Sequence, residues 1–364
     1  MSAGVDSLPA VSGGQGVPRR AIGVWLIGIA VLVFAMVMLG GATRLTNSGL
    51  SMVHWQFAGS LPPLDETAWQ AEFARYQLFP EYRKVNAGMS LPEFKRIYWF
   101  EYSHRMLGRL IGLAFALPML WLVVRRRLDR RLALKLSALL VLGGLQGLVG
   151  WWMVQSGLID HPDVDHLRLA THLGLASILL AALIWVGADE LSHASGTRRT
   201  SRGSFGLYGA GWVVLGLAFL QILLGALVAG LNAGLVYNTF PTMGGYWLPP
   251  DVAATPFGDL LEEPVAVQFL HRVGAVGLTI GILLLRWAIR NAARAGGRVP
   301  LSADLVVAAL FVQLGLGIAT LLAAAPLVLA LTHQAAAMIL LATLVLQQHA
   351  LGPGAARKLE SHGQ

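Results

Sequence analysis

Apolar residues along the chain gather into runs of roughly 20, the length that crosses about 30 Å of hydrocarbon as a helix. Eight such runs occur, at 21–42, 99–124, 133–155, 168–188, 207–231, 265–289, 303–324 and 328–349. They predict an all-α polytopic membrane protein with eight transmembrane helices. The first run leads into GGATRLTNSG, not into a small-residue cleavage site, and no transit-peptide composition precedes it. It is expected to be a retained helix.

Composition agrees with this pattern: 55% of residues are apolar, 13% are charged and the mean hydropathy is +0.62. The net charge of +8 is not a nucleic-acid footprint, because the basic residues cluster in short connections on one side of the expected membrane. RRRLDRRLALK (125–135), TRRTSR (197–202) and the series Arg286, Arg290, Arg294, Arg298 are assigned to the cytoplasm. DHPDVDH (160–166) and the segment 232–264, which has acids but neither Lys nor Arg, go to the outer face. Both termini then lie inside. The chain has no cysteine, which removes disulfides, iron–sulfur clusters and thiolate haem ligation.

The chain also repeats itself. ATHLGLASILLA (170–181) matches LTHQAAAMILLA (331–342) at seven of twelve positions, histidine included. EYSHR (101–105) pairs with QFLHR (268–272), and TNSGL (46–50) with LNAGL (231–235), in the same order. Two pseudo-symmetric four-helix bundles account for these matches. The expected layout is a cytoplasmic tail (1–20), an N-terminal bundle (21–188) with a long outer segment (43–98), a cytoplasmic linker (189–206), a C-terminal bundle (207–349) and a cytoplasmic tail (350–364).

The even-numbered transmembrane helices run inward, so His104, His172, His271 and His333 all fall within about two turns of the outer end. Within each half, His104 with His172 and His271 with His333 can face each other across a bundle interior. Two neutral imidazoles on facing helices fill both axial positions of a haem iron while apolar walls cover the ring. One intramembrane histidine alone is equally a structural or proton-relay residue; the duplication is what favours ligation. Zinc is less apt, since two histidines per half fall short of its usual four ligands. His54, His161, His166, His193, His349 and His362 sit in loops or at helix ends and read as solvated or interfacial.

Arg44, Arg105, Arg109 and Arg272 lie at the depth of these histidines. They either snorkel to the interface or hydrogen-bond haem propionates. Glu101 precedes His104 by three residues, on nearly the same helix face, and its counterpart in the second half is Gln268. It is read either as an ion-pair partner of Arg105 or Arg109, or as an acid beside a reacting haem. The asymmetry favours one reacting site and one electron-carrying site. The small residues of GGLQGLVGWW (143–152) read first as helix packing and second as a direct haem contact.

The motifs GGATRLTNSGLSM, EYSHRMLGRLIGL, GLQGLVGWWMVQSGL, RLATHL, GALVAGLNAGLVYNTFP, QFLHR and THQ, in order from about residue 21 to 349, resemble those of the haem A synthase family. The resemblance implies oxidation of the C8 methyl group of haem O to a formyl group by successive hydroxylation, with water as the oxygen source. The product is the haem A needed by cytochrome c oxidase. Carried over by motif, His104 and His172 hold the substrate iron, His271 and His333 hold haem B as cofactor, and Glu101 is the catalytic acid. The chain is similar to the cysteine-free branch, so no thiol chemistry is implied. Implied partners are the farnesyltransferase that makes haem O, cytochrome c oxidase assembly factors, an electron acceptor and membrane lipid. The implied location is the bacterial inner membrane, with the haem sites toward the outer face.

Two other classes fit some of these features. A bis-histidine cytochrome b would carry electrons from quinol without changing a substrate, but needs no Glu101/Gln268 asymmetry. A transporter built from repeats is expected to place polar groups near the bilayer midplane, not at one end. The outer segment 50–98 is expected either to form interfacial helices over the substrate pocket or to be an amphipathic connector.

Overall fold

The computed structural model describes residues 18–52, 61–157, 163–195, 205–294 and 301–352. His54, His161, His362, TRRTSR and Arg298 lie outside the described residues, as does most of each expected tail. The helices, in chain order, are α1 (Arg19–Leu45), α2 (Glu66–Tyr76), α3 (Pro80–Lys84), α4 (Leu91–Val124), α5 (Arg130–Gly157) and α6 (His166–Ala194). They continue as α7 (Phe205–Gly230), α8 (Pro250–Ala254), α9 (Pro264–Arg294), α10 (Leu301–Leu322) and α11 (Leu327–Leu351). Among the described residues eight helices are long and apolar enough to cross a membrane, namely α1, α4, α5, α6, α7, α9, α10 and α11. The protein is all-α and multi-pass.

Helix ends differ from the apolar runs where local chemistry overrides hydropathy. α4 starts eight residues before its apolar run because the Glu93 carboxylate accepts the Ser90 N–H at 2.8 Å, a start signal that hydropathy does not register. Asp65 caps α2 and Asp165 caps α6, each accepting a first-turn N–H at 2.8 Å. Such caps contribute about 1 kcal/mol each. Asn47 after α1 and Asn232 after α7 both take left-handed backbone, with φ of 49° and 52°. Asparagine tolerates this region better than other side chains. The TNSGL and LNAGL segments therefore share a conformation as well as a sequence.

The membrane helices close two rings. α1 packs on α4, α4 on α5, α5 on α6 and α6 on α1; the second ring runs α7, α9, α10, α11 and back to α7. α1 and α6 of one ring meet α7 and α11 of the other. Lipid is as apolar as leucine, so close van der Waals packing holds such rings together. α1 and α6 approach through Gly23 and Gly187, where a Cβ at Gly23 would lie 3.0 Å from the Gly187 carbonyl oxygen.

One end of the first ring is charged. Arg19 bonds Glu190 at 2.9 Å and Lys135 bonds Asp189 at 2.6 Å, tying α1 and α5 to α6. His349, expected at an interface, is instead 6% exposed: its ring meets Trp185 edge-on and its Nε2 lies 3.7 Å from Asp189. Arg286, assigned to the cytoplasm by its charge, is buried and paired with Asp304 of α10. Apolar periodicity carries no information about such partners.

Candidate functional site

All four singled-out histidines lie at the end of the rings opposite this charged cluster. α4 and α6 bring His104 and His172 close enough to interact electrostatically, and α9 and α11 do the same for His271 and His333. Each ring nests in a gap on the neighbouring helix where glycine leaves room. A Cβ at Gly150 would lie 2.8 Å from His172 Cε1, one at Gly317 2.8 Å from His333 Cε1, and one at Gly225 3.2 Å from His271 Cε1. At Gly40 the nearest atom would be His104 Nε2, 3.3 Å away. Any side chain at these positions must push the imidazole aside. The result is two facing imidazole pairs with glycine-shaped recesses.

The neighbouring glycine of GGATRL serves a different contact. Gly41 receives Gln334, the last residue of THQ, whose Nε2 donates to the Val37 carbonyl at 2.8 Å. Gly40 thus accommodates a histidine of its own ring, while Gly41 admits a glutamine from the other. These adjacent glycines couple the two halves at histidine depth.

Glu101 is 3% exposed and fully engaged. Its Oε2 accepts from Ser51 Oγ and from the Met52 N–H, both at 2.7 Å, and its Oε1 pairs with Arg105. The ion-pair reading of Glu101 is therefore realised, one turn from His104. Arg105 also donates to the Met52 carbonyl at 3.0 Å. In the second half the same places hold Gln268, donating to Tyr237 O at 3.1 Å, and Arg272, donating to Tyr237 O and Thr239 O at 2.8 Å. Both halves pin the loop that follows their first long helix, but only the first does so with a carboxylate. Among the described residues Arg44 hydrogen-bonds none of its own ring's histidines; it donates to the Ala229 carbonyl at 3.3 Å, at the end of α7. Arg109 lies against Met106, 3.9 Å from its sulfur.

The outer segment contains helices. α2, α3 and the first turns of α4 enclose a small aromatic core of Trp69, Tyr76, Phe94 and Tyr98, with Phe73 and Tyr82 at its edge. Within it lies Glu81, 4% exposed, which shares a hydrogen bond with Tyr76 and has one carboxylate oxygen without a partner. Burial pushes its carboxyl up to about 8, Tyr76 opposes this, and Glu101 and Asp163 add to it. Sequence reading missed Glu81, since the carboxylate sits among charged neighbours that are exposed.

The sign of the resulting pH dependence follows directly. An unfolded glutamate titrates at 4.5, so between that value and about 8 the folded chain holds a proton that the unfolded chain has lost. The contribution is fully present below 4.5 and disappears as pH rises through about 8. Thermal unfolding in detergent is expected to show a melting temperature that falls between pH 6 and 9, and falls less in Glu81→Gln. Equal slopes for parent and variant would show that Glu81 is ionised in the fold.

Comparison with known proteins places this geometry. A family model, COX15-CtaA, described as cytochrome oxidase assembly protein, matches residues 23–345. The chain belongs to the COX15-CtaA family. Among similar relatives, the protein of Parvibaculum lavamentivorans named heme A synthase is 48% identical over 336 residues, covering 92% of this chain and 95% of that one. The heme A synthase of Nitrosospira multiformis is 43% identical, covering 95% and 98%. That of Caulobacter sp. is 47% identical, covering 89% and 94%. In this COX15-CtaA protein the glycine recesses, Gln334 and Glu81 were not singled out as site residues from sequence. The recurrence of a glycine at one fixed place in each odd-numbered membrane helix was the available signal for the first.

Proposed function

We propose that this COX15-CtaA protein is a haem A synthase, oxidising the C8 methyl of haem O to a formyl group through successive hydroxylation with water as the oxygen source. The observation that carries the proposal is the difference between two otherwise repeated histidine sites, with buried Glu101 beside His104 and neutral Gln268 beside His271. A cytochrome with two equivalent electron sites has no need of that difference.

The residues suit haem. The imidazoles come in facing pairs, their recesses are closed to any Cβ, and His333 Nδ1 is buried without a hydrogen-bond partner. On this reading His104 and His172 hold the substrate iron, and His271 and His333 hold haem B. When bound, haem B would supply one-electron redox chemistry toward an electron acceptor. Glu101 keeps a fixed negative charge near the reacting edge, favouring positive charge at the methyl carbon as water attacks. Ser51, the Met52 N–H and Arg105 hold that carboxylate in place. Arg105 and Arg109 balance the substrate's propionates, and Arg272, whose buried Nε has no partner, serves those of haem B. Arg44 fixes the seam between the halves. The aromatic outer segment excludes water from above. The bilayer is the bacterial inner membrane, with both termini inside and the histidine end outward.

A strain whose own haem A synthase gene has been deleted tests the proposal. Expression of this chain is expected to restore haem A and the spectrum of an oxidase that contains it. Continued accumulation of haem O alone would reject the proposal.

A further inference from the structure

Three of the four glycines that admit the histidines share a second feature. One turn before each, at position i−4, stands Gln146 for Gly150, Gln221 for Gly225 and Gln313 for Gly317, but Met36 for Gly40. Three of the four recesses thus carry an amide one turn away, and the fourth carries a thioether at that place.

The amides contact the rings directly. Gln146 Nε2 lies 3.2 Å from His172 Nδ1 and 3.4 Å from its Nε2, and donates to the His172 carbonyl at 3.1 Å. Gln221 repeats the arrangement, at 3.0 and 3.5 Å from the His271 ring nitrogens and 2.9 Å from the His271 carbonyl. Gln313 Nε2 lies 3.4 Å from His333 Nε2. In all three glutamines the side-chain oxygen is buried with no partner among the described residues. An unmatched acceptor inside a membrane protein costs free energy unless some state of the molecule satisfies it. The N–H of a ligating imidazole is such a partner when the amide turns end for end, which brings its oxygen to the place held by Nε2 beside the ring nitrogen and gives up the bond to the histidine carbonyl. Met36 offers no such acceptor of comparable strength; its methyl rests against α4, 3.2 Å from where a Cβ at Gly108 would lie.

We propose that Gln146, Gln221 and Gln313 are positioning residues that fix the ring plane and hydrogen bonding of His172, His271 and His333. With Met36 in that place, His104 is the one of the four imidazoles without an amide partner among the described residues, and hence the exchangeable ligand of the substrate half. This rests on the assignment of the first half to substrate, and gives it a physical reason. A resident cofactor needs two fixed ligands, whereas a haem that must enter and leave needs one that yields. The methionine and Glu101 are separate departures from the repeat, on different helices, and both fall at His104.

The test uses purified, haem-loaded protein, with readouts independent of product formation. Removing the acceptor beside His271 in Gln221→Leu makes that imidazole a weaker donor to iron. The midpoint potential of the resident haem is expected to rise with haem content retained, and its low-spin electron paramagnetic resonance signal to shift. Gln221→Glu keeps the shape and strengthens the acceptor, so its potential is expected to fall below the parent's; it also serves if the leucine variant does not fold. Unchanged potentials in Gln221→Glu would overturn the positioning role whether or not the protein makes haem A. Met36→Gln is expected to slow exchange of bound haem O against added haem O by about tenfold, the lower end of what such partners contribute to metal affinity. Exchange at the parent rate would overturn the role given to Met36. If the parent retains haem O in neither half, the substrate assignment fails instead, while the potentials still report on Gln221.

Discussion

His271→Ala is expected to strip the resident haem from the second half while leaving the first half able to hold haem O. The imidazole is one of two that face each other across the second ring, and alanine offers no ligand to replace it. The site has little else to give, because among the described residues no group of three or more histidine, cysteine, aspartate or glutamate side chains could hold a metal ion. Haem B content is expected to fall to background, together with the bis-histidine spectrum of that half. The fold should survive, since His271 lies outside the two large apolar clusters that hold the rings. Pyridine haemochrome spectra of the purified variant check this. Retention of haem B at the parent level would overturn the assignment of cofactor to the second half.

Glu101→Gln is expected to leave both haems bound and to reduce formyl production by about a hundredfold or more, the usual scale for loss of a charged group at a reacting centre. The variant copies what the second half already has at Gln268. Glutamine keeps an oxygen for the Met52 N–H and preserves the volume, so the loop after α1 stays pinned. Both variants remove the counter-charge of Arg105, but Glu101→Ala is the less clean experiment, because it also removes the oxygens that Ser51, the Met52 N–H and Arg105 bond and empties a buried site. A fall in activity there would mix chemistry with stability. Haem A made by Glu101→Gln at the parent rate would remove the catalytic role and leave Glu101 as a structural ion pair.

Much of this architecture was legible from hydropathy and internal similarity. The eight helices follow from run length, and His104, His172, His271 and His333 emerge because each recurs at a matching place in its half. What stayed hidden depends on partners distant in sequence. Glu81 looks like any surface acid until Tyr76 and the surrounding aromatic rings close over it. His349 looks interfacial until Trp185 and Asp189 meet it. Arg44 has the depth of a propionate ligand, yet the end of α7 takes its guanidinium. Gln146, Gln221 and Gln313 were hidden for another reason: each occupies an apolar run and breaks no local rule, so only the fold reveals that all three stand beside a histidine.

The central claim is that one half changes a haem while the other keeps one. Its most direct test is extraction and chromatographic identification of the haems in the purified protein, produced with and without a co-expressed source of haem O. The account predicts haem B alone without that source, and haem B together with haem O and newly formed haem A with it. Haem B alone in the presence of abundant haem O would contradict the account and identify an electron-carrying cytochrome instead.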